Sequence, residues 1–211
     1  MAIGKTDSTH RTNQTDMPLE EAIFSRRSVR TFLADPVPKE VVERVLQAGI
    51  AAPSALNSQP WRFIVATGST RDEFVKIIRK FPAYLADIVA LVRGESSFDV
   101  DDEKVTSFAD DLGGAPVIIF ATIPKKTNQY AKRLDLIGCA SAIQNMQLIA
   151  WSLGLGSVCL ATGIWVESEI AQALELKDSE IASIMVLGYR ESDPQAPAKT
   201  RQDTVITWLD T

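Results

Sequence analysis

From Leu136 to Val166 the chain carries no charged residue. No other feature limits the fold so strongly, because an uncharged stretch of that length has only three homes: a bilayer, a core or a subunit interface. A bilayer span needs about 20 predominantly apolar residues. Gln144, Asn145 and Gln147 fall in the middle of the run, and Gly154 and Gly156 break it. The run therefore reads as a helix apolar nearly all round, buried in a large core or at an interface. Gly138, Ala140, Ser141 and Ala142 are small enough to let another helix approach closely. The helical pattern spans 128–153. The "GLGSVC" that follows has no third glycine and stands after a helix and before a strand, so it reads as a C-cap and tight turn rather than a dinucleotide loop.

The rest of the chain alternates helix and strand patterns. Residues 18–24 start a helix that Asp16 can cap, with Glu20 and Glu21 in its first turn. Pro38 opens a second helix with Val41, Val42, Val45, Leu46, Gly49 and Ala52 on one face, and Pro53 ends it. Strand patterns cover 61–66, 115–122, 157–160 and 181–189, and helical patterns cover 70–80 and 167–176. Residues 81–94 read as partly helical, 95–111 as an acidic irregular segment, and 191–204 as an extended tail. Four or five strands with this much helix predict a central sheet flanked by helices. Residues 1–16 read as a flexible arm and 17–211 as a single domain with an extended C-terminal tail. The arm has no apolar signal segment, so the expected location is cytoplasmic.

Composition narrows the chemistry. A net charge of −5 gives no basic excess for nucleic acid. The only histidine is His10, in the polar arm, which removes a histidine-dependent triad from the body of the chain. Cys139 and Cys159 each lie in an apolar run and read as small buried hydrophobes, with no metal or redox spacing. The acidic run 98–104 has Lys104 where a calcium loop needs glycine.

Three segments remain as candidate binding elements. "RRSVR" places Arg26, Arg27 and Arg30 beside the hydroxyl of Ser28, donors that suit a phosphate. Helix-dipole pairing is the plain alternative for such a cluster. Lys199 and Arg201 face one way on an extended segment and could converge on the same anion. "PSALNSQPW", residues 53–61, packs the amides of Asn57 and Gln59 between two prolines. Those amides could read a flat heterocycle, or the loop could simply bond to itself around a core Trp61.

In this order, "RRSVR", "APSALNSQPWRF" (52–63), "CASAIQNMQLIAWSLGLGSV" (139–158) and "LGYR…PAKTR" (187–201) resemble the flavin-dependent nitroreductase family. The resemblance implies an α+β fold: a central, mixed but mostly antiparallel sheet flanked by helices, with the long helix at a homodimer interface. It implies FMN as cofactor, bound between subunits. Arg26, Arg27, Ser28 and Arg30 would form the first FMN segment, with Arg26 at the phosphate and Arg30 nearer the pyrimidine edge. Lys199 and Arg201 would complete the phosphate site. Pro53, Ser54, Ala55 and Asn57 would reach the flavin of the other subunit, and the backbone of Thr162 and Gly163 would lie near N5. No side chain would be catalytic. NADH or NADPH would give a hydride and leave, and a nitroaromatic, quinone or similar small-molecule acceptor would then take the electrons in ping-pong order. The partners implied are a second copy and that acceptor, with no nucleic acid and no membrane. Two departures stand out: Thr162 occupies a position that is acidic in several members, and Ala55 one that commonly carries a hydroxyl. Same-fold alternatives are flavin breakdown, reductive dehalogenation, ene reduction or a non-enzymatic FMN-binding redox sensor.

Overall fold

The computed structural model describes residues 17–84, 86, 87, 90, 91, 102–160, 165–192, 194 and 206–209. The expected arm at 1–16 and most of the tail lie outside them. Helix α1 spans Leu19–Ser25, α2 Lys39–Ile50, α3 Gly68–Ile78, α4 Asp102–Asp111, α5 Gln129–Ser152 and α6 Glu167–Ala173. Strands β1 (Arg62–Thr67), β2 (Val117–Pro124), β3 (Leu155–Leu160) and β4 (Ser179–Tyr189) form one sheet in the order β1-β2-β4-β3. All three pairings are antiparallel. Among the described residues, parallel pairing is confined to an isolated bridge between Ser28 and Ser157.

Strand periodicity explains the layers. Ile118 and Phe120 of β2 enter one core cluster with Phe74, Ile78, Leu112, Ile170 and Trp151. Val117 and Ile119 point the other way, against Val42 and Val45 of α2 and Met146 and Ala150 of α5. A strand buried on both faces must be apolar throughout, which is why "VIIFAT" shows no alternation.

Helix α5 has the expected extent for visible reasons. The Asn128 side chain accepts from the backbone N–H groups of Tyr130 and Ala131 at 2.9 and 3.1 Å, capping the first turn. At the other end Gly154, with φ at +77°, turns the chain out of the helix. The helix is not buried all round. Gly138, Cys139, Ala142, Met146, Ala150 and Trp151 face the core, while Tyr130, Leu134 and Ile137 are exposed on a stripe at i, i+4, i+7.

Two expectations need correction. The N-cap of α1 is Pro18, which offers no side-chain bond, and Asp16 lies outside the described residues. The second half of the acidic segment is helical, not irregular: Phe108, Ala109 and Leu112 of 102–112 are buried in the main core, so packing overrides the high charge. The remaining elements fall within two or three residues of their expected bounds. Of 81–94, Phe81–Tyr84 form a 3-10 turn.

Candidate cofactor site

Helix α1 ends at Ser25, and the next eight residues run across the end of the sheet. The Val29 N–H donates to the Ser157 carbonyl at 3.1 Å, Phe32 N–H to Gly113 at 2.9 Å and Leu33 N–H to Tyr189 at 2.9 Å. This strap therefore holds "RRSVR" against the outer edge of β3. Gly156 is required below it, because a Cβ there would meet the Val29 side chain at 2.7 Å.

The three arginines do different things. Arg27 Nη1 donates to the carbonyls of Phe24 and Arg26, both at 2.9 Å, which satisfies the end of α1 as simple dipole pairing would. The guanidinium of Arg26 does nothing of the kind. Its Nη1, like Nε of Arg27, is buried without a hydrogen-bond partner among the described residues. Nor does a described carboxylate ion-pair with Arg26, Arg27 or Arg30. A buried donor on a cation is costly when unmet, so this pocket of N–H groups fits an anion. Arg30 is directed elsewhere: it lines an open cleft of about 680 Å³ with Thr31, Glu103, Lys104, Ser107 and Phe108. The α4 side of that cleft went unseen in sequence because 95–111 read as irregular; the spacing of Lys104, Ser107 and Phe108 was the available signal.

A second cleft, of about 410 Å³, lies between α5 and strands β3 and β4, lined by Cys139, Ile143, Gln147, Cys159 and Ser183 among others. Burial pushes both thiols up to about 11. For Cys139 the neighbouring Cys159 adds to the rise, whereas for Cys159 a Ser183 hydrogen bond and the Arg26 charge oppose it. Arg26 therefore lies close enough to Cys159 for its charge to be felt there. Cys139 is buried as expected, whereas Cys159 is half-buried.

The loop at 53–60 does bond to itself. Gln59 N–H donates to Ser54 Oγ at 2.9 Å, and Gln59 Nε2 donates to Asn57 Oδ1 at 2.9 Å. Leu56, Asn57 and Gln59 all take positive φ, at 52°, 54° and 44°. Pro60 and Trp61 are buried, and Gly138 of α5 lets Ser54 and Trp61 pack close. This loop leads into β1, the edge strand opposite β3. Three inter-strand steps of about 4.8 Å separate the two edges by roughly 14 Å. One chain thus carries Arg26, Arg27 and Ser28 on the strap beside β3, and Pro53, Ser54, Ala55 and Asn57 in the loop that leads into β1, the opposite edge strand. Thr162, Gly163, Lys199 and Arg201 lie outside the described residues.

Among the described residues there is no cluster of three or more histidine, cysteine or acidic side chains able to hold a metal, and no helix long and apolar enough to cross a membrane.

Comparison with known proteins follows the same lines. YfhC of Bacillus subtilis strain 168, which bears a provisional NAD(P)H nitroreductase name, is 32% identical over 183 residues, covering 86% of this chain and 89% of that protein. A 4-nitrobenzoate reductase of Pseudomonas putida is 28% identical over 199 residues, covering 82% and 86%. A provisionally named nitroreductase of Desulfovibrio desulfuricans, crystallised in complex with FMN, superposes with a TM-score of 0.67 at 26% identity, covering 93% of this chain and 98% of that one. The sequence profile of the nitroreductase family matches residues 23–189, and with that span and the identity to YfhC this chain belongs to the nitroreductase family.

Proposed function

We propose that the protein is an NAD(P)H-dependent FMN oxidoreductase, working as a homodimer and passing reducing equivalents to a nitroaromatic, quinone or similar small acceptor. The observation that carries the reading is the pair of buried guanidinium nitrogens on Arg26 and Arg27 that have no partner among the described residues. They suit the phosphate of FMN, which brings a double negative charge and several acceptor oxygens. Lys199 and Arg201 are assigned to the same phosphate, Ser28 adds a hydroxyl, and Arg30, across in the neighbouring cleft, is assigned to the pyrimidine edge. Thr162 and Gly163 are assigned to the backbone beside N5.

Bound FMN supplies the hydride chemistry, and the protein's part is to bind, orient and shield. The cation of Arg30 favours negative charge on the pyrimidine end of the ring. Donor and acceptor occupy one open face in turn, which is a ping-pong order.

The homodimer reading rests on exposed apolar surface. Leu19, Ile23 and Phe24 of α1 and Tyr130, Leu134 and Ile137 of α5 are exposed, as are Ile206, Trp208 and Leu209 near the C-terminus. A second copy would cover such a surface and bring its own Pro53, Ser54, Ala55 and Asn57 to a flavin held by Arg26. The Pseudomonas relative's name supports a nitroaromatic acceptor, and the Desulfovibrio structure supports FMN.

The test is an anaerobic spectrum. Purified protein with FMN should show a flavin absorbance that NADH or NADPH bleaches and a nitroaromatic restores. A protein that takes up no flavin overturns the reading. Bound flavin that neither donor bleaches overturns its enzymatic part.

A further inference from the structure

We propose that Trp151 is a positioning residue for the phosphate grip, acting through Ser25 on the direction of Arg26; the proposal rests on the flavin reading above. Trp151 is buried in the last turn of α5, and its Nε1 donates to Ser25 Oγ at 2.8 Å. Ser25 is the final residue of α1, and Arg26 follows it directly. The indole is itself fixed. The Arg190 guanidinium lies 4.4 Å from the ring centroid, and Arg190 Nη1 donates to the Leu155 carbonyl at 3.3 Å.

Helix α1 needs such a tie. It has 7 residues, no side-chain N-cap, and exposed Leu19, Ile23 and Phe24 on its outer face. A helix that short has little stability of its own. Its C-terminal end is held by Arg27, which closes the last carbonyls, and by the indole N–H, which ties that end to α5. The other contact of Ser25 is a weak one, to Met17 Sδ at 3.7 Å. Without the indole bond the end of α1 frays, and Arg26 loses the fixed direction that leaves its Nη1 buried with no partner among the described residues. A phosphate would feel that loss. The flavin ring, assigned to Arg30, the 53–57 loop and residues 162–163, would not.

FMN and riboflavin differ only by the phosphate, so their two dissociation constants separate these effects. Apoprotein of wild type, Trp151→Phe, Ser25→Ala and Arg26→Ala is titrated with each, following flavin fluorescence. Losing one hydrogen bond to the anchor is expected to cut the FMN-over-riboflavin preference about tenfold in Trp151→Phe and in Ser25→Ala. Riboflavin binding should stay within about twofold on the same reasoning. Ser25→Ala added to Arg26→Ala should change nothing further, since Ser25 acts through Arg26. Ser25 is only half-buried, so its variant keeps the test open if Trp151→Phe misfolds. An unchanged preference, or an equal weakening of both ligands, overturns the proposal and leaves the flavin reading standing. A wild type that binds neither ligand overturns both.

Discussion

Gly156 of β3 lies so close beneath Val29 that a Cβ placed on it would stand 2.7 Å from three side-chain atoms of the valine. One of those atoms is the Val29 Cβ, which cannot swing away, so the strap itself would have to lift. Gly156→Ala should therefore cost about 1–3 kcal/mol of stability by overpacking. It should also weaken FMN binding, because Arg26 to Ser28 ride on the same strap. Urea unfolding and flavin titration read the two effects. Adding Val29→Gly to Gly156→Ala removes all three clashing atoms, the Cβ included, and should restore flavin affinity, and failure of that rescue would show that the strap's seat on β3 does not matter to the site.

Leu56 combines a φ of 52° with a side chain that is fully exposed. A leucine gains nothing in its own chain from that arrangement, and the left-handed backbone costs about 1–2 kcal/mol. Leu56→Gly removes the strain but gives the unfolded chain more freedom, worth about 0.5–1 kcal/mol the other way. The net effect on unfolding should be small. The effect on assembly should not be: if the loop reaches a second subunit, the variant dissociates at concentrations where wild type is dimeric. Sedimentation velocity across a dilution series decides this. An unaltered dimer constant would mean that Leu56 touches no partner.

The sequence showed what local chemistry controls. The extent of α5 was readable because Asn128 caps it and Gly154 turns the chain out. The basic cluster proposed to hold an anion was readable because its arginines fall within five residues. What escaped depends on distant packing. Residues 102–111 look irregular by charge, and only the burial of Phe108 and Ala109 against Phe32 and Ile78 makes them a helix. The 53–60 loop looked stiff and amide-rich, but that Asn57 and Gln59 bond to one another follows from three positive φ values no pattern announces. The tie between Trp151 and Ser25 spans 126 positions and leaves no local trace.

Arg71 is a buried cation that joins three elements. It donates from Nε to the Ala115 carbonyl at 2.9 Å, reaches Asp72 on its own helix, and grips both the carboxylate and the carbonyl of Asp111 at the end of α4. Arg71→Met should destabilise by about 1–3 kcal/mol, since it strips a donor from the carbonyls of Ala115 and Asp111, while the exposed carboxylates of Asp72 and Asp111 can turn to water. Arg71→Lys should recover little, because a lysine cannot fork between Asp111 and Ala115. Guanidinium chloride unfolding measures both. Equal stability of Arg71→Lys and wild type would show that charge, not geometry, is what this site requires. Because Asp111 closes α4, the same variants should loosen the cleft beside Arg30 and speed hydrogen exchange across 102–111.

Cys139 and Cys159 give a pH dependence with a definite sign. Burial pushes both thiols up to about 11 from an ordinary 9.0. Between those values an unfolded chain loses the thiol protons while the folded chain keeps them. The unfolded state then binds fewer protons, so stability must fall as pH rises. The thiols' contribution is fully present below pH 9 and is lost as pH climbs toward 11. Chemical unfolding of wild type and of a Cys139→Ala, Cys159→Ala double variant, compared from pH 8 to 11, isolates it. The variant should lose less stability than wild type over that range. Curves that stay parallel would mean that the thiols titrate alike in both states, and that burial does not set their chemistry.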